Sequence, residues 1–346
     1  MRPCRIPVPL LLLVAALPAV THPATAQKDG AAGAVSIKEW EVPWGAQTRP
    51  RDPAVAPDGK IWFVGQVGNY IGRLDPASGE FKRFEVDSGT NPHNIIVDPK
   101  GRPWYSGNRN AMIGRLDPAT GALTRYPMPD RAAADPHTQV FDRQGNLWFT
   151  VQGGNYVGRL NTESGKIDLV KMTMDRSRPY GITLDPAGRP YFDLFGTNKI
   201  GTLDPRTLEL KEYPLPDPKA RPRRIARTSD GAIWYGDYTR GYTGRLDPKT
   251  GVVKEWRNPG EAASLPYAMT VDDADRIWFV ETGVQPNRLV GFDPKTEKFF
   301  SVTPIPSGGG VVRYMIFDPK ARVIWFGSDR GTIGRAQVPP AKQTTT

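Results

Sequence analysis

Apart from an apolar leader and a polar tail, the chain alternates apolar and polar residues in short runs, each closed by a cluster of Asp, Pro and Gly. A two-residue period is the period of a strand with one face buried. Between residues 94 and 126 such runs fall at about 94–98, 103–105, 112–116 and 123–126, which predicts four short strands, a to d. Asp-Pro-Lys-Gly joins a to b and Asp-Pro-Ala-Thr-Gly joins c to d. Asp caps its own turn, Pro presets the next φ, and Gly accepts the positive φ that closes a hairpin.

The unit repeats from end to end. Its aromatic anchors are Trp62, Trp104, Trp148, Tyr191, Trp234, Trp278 and Trp325, at spacings of 42, 44, 43, 43, 44 and 47. Four-stranded units of this length, repeated seven times, predict an all-β fold, a seven-bladed β-propeller in one domain spanning 35–338. The last repeat stops after strand c at Arg335, while residues 36–43, "SIKEWEVP", match a strand d such as "LKEYPLP" at 210–216. The N-terminal strand is therefore expected to complete the last blade. The Trp residues and the Arg of "GRL" recur in most blades, which assigns them to packing between blades.

Residues 1–26 have a basic start, an apolar stretch and an Ala-Thr-Ala end, the pattern of a signal peptide cut before Gln27. A periplasmic or secreted protein is expected, with no membrane attachment after cleavage, and with disordered segments at 27–34 and 339–346. The one cysteine, Cys4, lies in the leader, so thiolate zinc sites and cysteine nucleophiles are excluded from the rest. Removing the two leader arginines leaves a formal charge of (46 − 2) − 36 = +8. In an exported chain, dispersed basic residues point to an anionic small molecule or acidic partner rather than nucleic acid. A monomer is expected.

Function should sit where equivalent positions differ between blades. The first position of strand a reads Arg51, His93, His137, Tyr180, Arg223, Tyr267 and Arg313. With a constant index sum, each pairs with the residue 14 further on, or 15 in the last blade, giving Gly65, Gly107, Val151, Leu194, Asp237, Glu281 and Ser328 at the same mouth. Groups of this kind bind anions, polarise carbonyls or move protons. Nearby arginines would keep His93 and His137 neutral and competent as bases. Asp135 stands two residues before His137, where it could orient the imidazole or bind a hard cation. Asp237 and Glu281, in adjacent blades, could share a divalent ion. No phosphate loop, HExxH or calcium loop is present, and no organic cofactor is indicated.

The segments "PYGITLDPAGRPYF", "IWFVETG" and "NKIGTLDP … LKEYPLP" resemble the virginiamycin B lyase (streptogramin B lyase) family of seven-bladed propellers. The resemblance covers nearly the whole chain after the leader. It implies a carbon-oxygen lyase that opens a cyclic depsipeptide at its ester by elimination, with magnesium. The implied site has a histidine base preceded by an acidic residue and proline, a second histidine from the preceding blade, and a carboxylate ending strand b. Asp135-Pro136-His137 with His93 matches that signature, although Val151 or Gln152 stands for the carboxylate. In the blade where the family carries its base, Arg313 and Ser328 stand here, and blade 6 keeps Glu281 but has Tyr267 for the histidine. The resulting expectation is a metal-assisted lyase with His137 as base and His93, Arg51, Tyr180, Arg223, Tyr267 and Arg313 on substrate. The alternatives are a non-catalytic propeller holding an anionic ligand or protein partner, and a lactonase-type hydrolase with a metal on Asp237 and Glu281.

Overall fold

The computed structural model describes residues 33–340. The expected signal peptide, most of the 27–34 linker and most of the tail lie outside these residues. Seven four-stranded antiparallel sheets follow one another along the chain, with no α-helix among the described residues. In blade 2 the strands are Pro92–Val97, Pro103–Gly107, Met112–Leu116 and Leu123–Pro127. Ile37–Glu41 pairs antiparallel with Thr332–Gln337, setting Trp40 opposite Ile333, so the first strand of the chain closes the last blade. That closure leaves no blade with an open ladder at its outer edge beyond strand d.

The core lies between blades. Trp62, Ile71 and Phe84 of blade 1 pack with Ile95, Tyr105 and Leu116 of blade 2, and the arrangement recurs around the ring. Trp104, Trp148, Trp234, Trp278 and Trp325 are fully buried. Three of their indole N–H groups find the turn carboxylates, Trp104, Trp148 and Trp278 donating to Asp98, Asp142 and Asp272 at 2.9–3.0 Å, while Trp234 donates to Thr228 Oγ1 at 3.0 Å. The arginine of "GRL" lies over the indole of its own blade, at 5.3 Å for Arg115 on Trp104 and 5.4 Å for Arg159 on Trp148. The glycine of the same motif admits an aromatic ring from strand b. A Cβ on Gly158 would lie 2.2 Å from Cζ of Phe149.

One departure from regular pairing recurs in all seven blades. In blade 3, Pro136 faces Val151 but Gln139 faces Phe149, so three steps on strand a match two on strand b. The same slip occurs in the other six. This is a β-bulge, one extra residue that bends the innermost strand where it reaches the axis. The constant-sum pairing expected from sequence fails at this point. Gly107 faces Pro92 rather than His93, and Asp237 faces Pro222 rather than Arg223.

Candidate functional site

The bulge turns two successive residues of each strand a toward the axis. The first set is the expected ring from Arg51 to Arg313. The second, missed by strict alternation, includes Asp52, Asn94, Thr138, Arg224 and Tyr314. The signal was present in the sequence: this column varies in chemistry between blades as strongly as its neighbour does. The ring residues are also backed by the position after the end of strand b. Arg51 Nη1 donates to Gln66 Oε1 at 3.0 Å, Tyr180 packs on Phe195 at 5.6 Å, and Arg313 pairs with Asp329.

Five of the seven ring members form one connected cluster. The imidazoles of His93 and His137 lie 3.7 Å apart between ring centroids, and His137 lies 3.9 Å from the ring of Tyr180. The Tyr180 and Tyr267 hydroxyls hydrogen-bond to each other across the axis. Arg223 stands over Tyr267 at 3.7 Å, inside a box completed by Tyr180, Phe195 and Tyr238. His93 is 5 % and His137 1 % exposed, and both are pushed well below the ordinary histidine value by burial first and by neighbouring arginines second. They are neutral at pH 7. Tyr267 is held below its ordinary value: burial opposes ionisation, but Arg223, Arg51 and Arg224 outweigh it.

Arg224 crosses the centre. Its Nη1 donates to Thr138 Oγ1 of blade 3 at 2.8 Å and its Nε to the Arg313 carbonyl of blade 7 at 2.9 Å. Its Nη2 lies 3.7 Å from Asp52 Oδ2 of blade 1. Asp52 is fully engaged, accepting from Arg51 Nε at 2.8 Å and from Asn94 at 2.9 Å. Several buried polar atoms nevertheless have no partner: His93 Nδ1, His137 Nε2, Arg51 Nη2, Arg223 Nε and Arg224 Nη2. Five such atoms in one place mark a position built to meet something else.

The three carboxylates expected to hold a metal are placed elsewhere. Asp135 accepts from Asn108 rather than from His137, whose Nδ1 instead meets Thr138 Oγ1 at 2.8 Å. Burial raises the Asp135 carboxyl to about 6. Asp237 is taken by Arg240 Nε at 2.5 Å and by the Arg221 N–H at 3.0 Å. Glu281 is taken by Arg288 at 2.5 and 2.9 Å and by the Gly260 N–H at 2.6 Å. Among the described residues no three His, Cys, Asp or Glu side chains converge as a metal would need. With guanidinium groups already on Asp237 and Glu281, this donor set does not fit a divalent cation.

An open cleft of about 350 Å³ lined by Asn146, Arg159, Lys166 and Asp168 lies on the tight-turn face of blade 3. Arg159 and Asp168 satisfy each other there at 2.8 Å, and none of the unpartnered buried atoms lines it. The five unpartnered atoms named above lie at the axis instead. No helix of the described residues is long and apolar enough to cross a membrane.

The model of the virginiamycin B lyase family matches residues 35–336. Among solved structures, virginiamycin B lyase from Staphylococcus aureus is 23% identical, with a TM-score of 0.79 over 88% of this chain and 99% of that one. A streptogramin B lyase is 27% identical, with a TM-score of 0.79 over 88% and 98%. A catalytically inactive histidine-to-alanine variant of the S. aureus enzyme with quinupristin is 24% identical, with a TM-score of 0.78 over 88% and 100%. No curated protein matches the chain.

Proposed function

The chain belongs to the virginiamycin B lyase family, and on that premise we propose that its axial site carries out a carbon-oxygen elimination in which His137 is the base. The observation that supports this reading is the buried, neutral imidazole of His137 with an unpaired Nε2. With Nδ1–H donating to Thr138, the lone pair stands on Nε2, where it can remove a proton next to a carbonyl. Thr138 is itself held by Arg224, which fixes the position of the ring. His93 stacks on one side of the base and Tyr180 on the other, which leaves the ring little freedom to turn.

A family relative loses activity when one histidine becomes alanine. The apolar leader supports action outside the cytoplasm. The test is a cyclic depsipeptide of the streptogramin B type followed by mass spectrometry. Elimination opens the ring with no change of mass, whereas hydrolysis adds one water. His137→Ala should lower the rate at least ~100-fold. An unchanged rate removes His137 from the role, and a product heavier by one water makes the protein a hydrolase.

A second reading rests on a different observation: the axis holds more guanidinium groups than carboxylates. On that reading the protein binds an anionic ligand without turning it over. Saturable binding with no product from any ligand tested would favour it.

A further inference from the structure

The charge at the axis is not balanced. Arg51 and Arg224 share one carboxylate, Asp52, Arg223 forms no ion pair among the described residues, and Arg313 is matched by Asp329. With one carboxylate between two buried guanidinium groups, Arg51 Nη2 and Arg224 Nη2 make no hydrogen bond and call for a further anion between them. A second observation lies on the surface above. Arg109, Arg131, Arg176 and Arg178, on the loops of blades 2 to 4 that border this mouth, are exposed and make no ion pair among the described residues. Of the acids beside them, Asp130 already accepts from the Tyr156 hydroxyl at 2.9 Å and Asp135, which feels the charge of Arg178, accepts from Asn108, which leaves Asp175. These four arginines surround the half of the mouth that carries His93, His137 and Tyr180. An extended polyanion fits such a rim better than a lone ion.

Among anions, an eliminating base selects a carboxylate. The proton it removes must be acidified by an adjacent carbonyl group, which a phosphate or sulfate ester does not provide. We infer, resting on the eliminating reading above, that the substrate is an acidic polysaccharide of hexuronate units, with Arg51 and Arg224 neutralising the carboxylate at the cleaved residue in place of a metal. Tyr267, hydrogen-bonded to Tyr180, is the proton donor to the leaving oxygen. His137 Nε2 takes the proton on the carbon bearing the carboxylate, and that electron pair forms a carbon–carbon double bond. The bond from the β-carbon to the glycosidic oxygen breaks, and the oxygen takes the Tyr267 proton. The products are an unsaturated uronate and a new chain end. Proton transfer from His137 to Tyr267 through water restores the site, with no net oxidation.

The test presents chelator-treated protein with polygalacturonate, alginate, hyaluronan and heparin, and reads the ultraviolet absorbance of the conjugated uronate. The same polygalacturonate as its methyl ester and a streptogramin B depsipeptide run beside them. At least one acidic polymer should give the chromophore without added metal, and its methyl ester should not. Tyr267→Phe, which keeps the ring under Arg223, should lower kcat at least ~100-fold with KM held. Replacing Arg109 and Arg178 by alanine should raise KM and weaken its dependence on salt. No chromophore from any of the four polymers, or a chromophore that requires added magnesium, overturns the inference. If the depsipeptide alone is opened, in a His137-dependent way, the eliminating site stands and the polyanion assignment falls. If nothing is eliminated from either class, the eliminating reading itself falls.

Discussion

Asp193 offers a quantitative check on the electrostatics of the axis. It stands on strand b of blade 4, opposite the bulge, where other blades carry Val64, Ser106, Thr150, Gly236, Val280 and Gly327. It is wholly buried, its Oδ1 accepts the Gly181 N–H at 2.5 Å, and its Oδ2 has no partner. Burial raises the carboxyl from 3.8 to about 8, against the opposing pull of that N–H and of Arg224 and Arg223. The native state therefore keeps a proton that the unfolded chain releases above 3.8. Stability contributed by this group is fully present below 3.8 and is lost as pH rises through 8. At pH 7 the gap of 7 − 3.8 = 3.2, at ~1.36 kcal/mol for each, makes the loss roughly 4 kcal/mol. Asp193→Asn keeps an oxygen for the Gly181 N–H and removes the ionisation. The variant should be more stable than the parent by roughly 4 kcal/mol at pH 7 and by only about 0.6 kcal/mol at pH 4. Urea denaturation at several pH values, with equal slopes for both proteins, measures that difference. A stabilisation that is the same at every pH, or that shrinks as pH rises, refutes the reasoning.

Other perturbations test the frame. Gly158→Ala drives a methyl into the Phe149 ring and should cost roughly 1–3 kcal/mol in urea denaturation. The same substitution at Gly121, in an open turn, should cost less than half as much, since no atom approaches its Cβ position and only its positive φ resists. Trp40→Ala strips the closing strand of its stack on Trp325, at 5.5 Å, and of the Arg335 contact. It should cost roughly 2–3 kcal/mol, and hydrogen exchange should quicken first in Thr332–Gln337.

The fold was legible because its determinants are local and repeated. The turns, the Trp anchors and the orphan first strand each state their role in a few residues, and the repeat multiplies the signal. The first ring was legible for a related reason: against the repeated turns and anchors, Arg51, His93, His137 and Tyr180 differ at equivalent positions. The second column was hidden because a bulge changes which face a residue takes without leaving a residue type behind. The same slip displaced the expected partners of the ring, so that Gln66 rather than Gly65 meets Arg51. Asp237 and Glu281 looked free because their neutralising arginines, Arg240 and Arg288, lie on loops and strands whose approach no periodicity encodes.

The bulge in each inner strand also has an evolutionary reading. By giving every blade two residues at the axis and then restoring regular pairing within three positions, it separates what the molecule recognises from what keeps it folded. Seven blades with two such places each supply fourteen sites where a side chain can change without breaking a ladder hydrogen bond. A histidine pair can then arise in blades 2 and 3 as readily as in any other two, because the scaffold beneath each blade is the same. Chemistry in such a ring can migrate by rotation, one blade at a time, while the barrel of tryptophans outside it stays still.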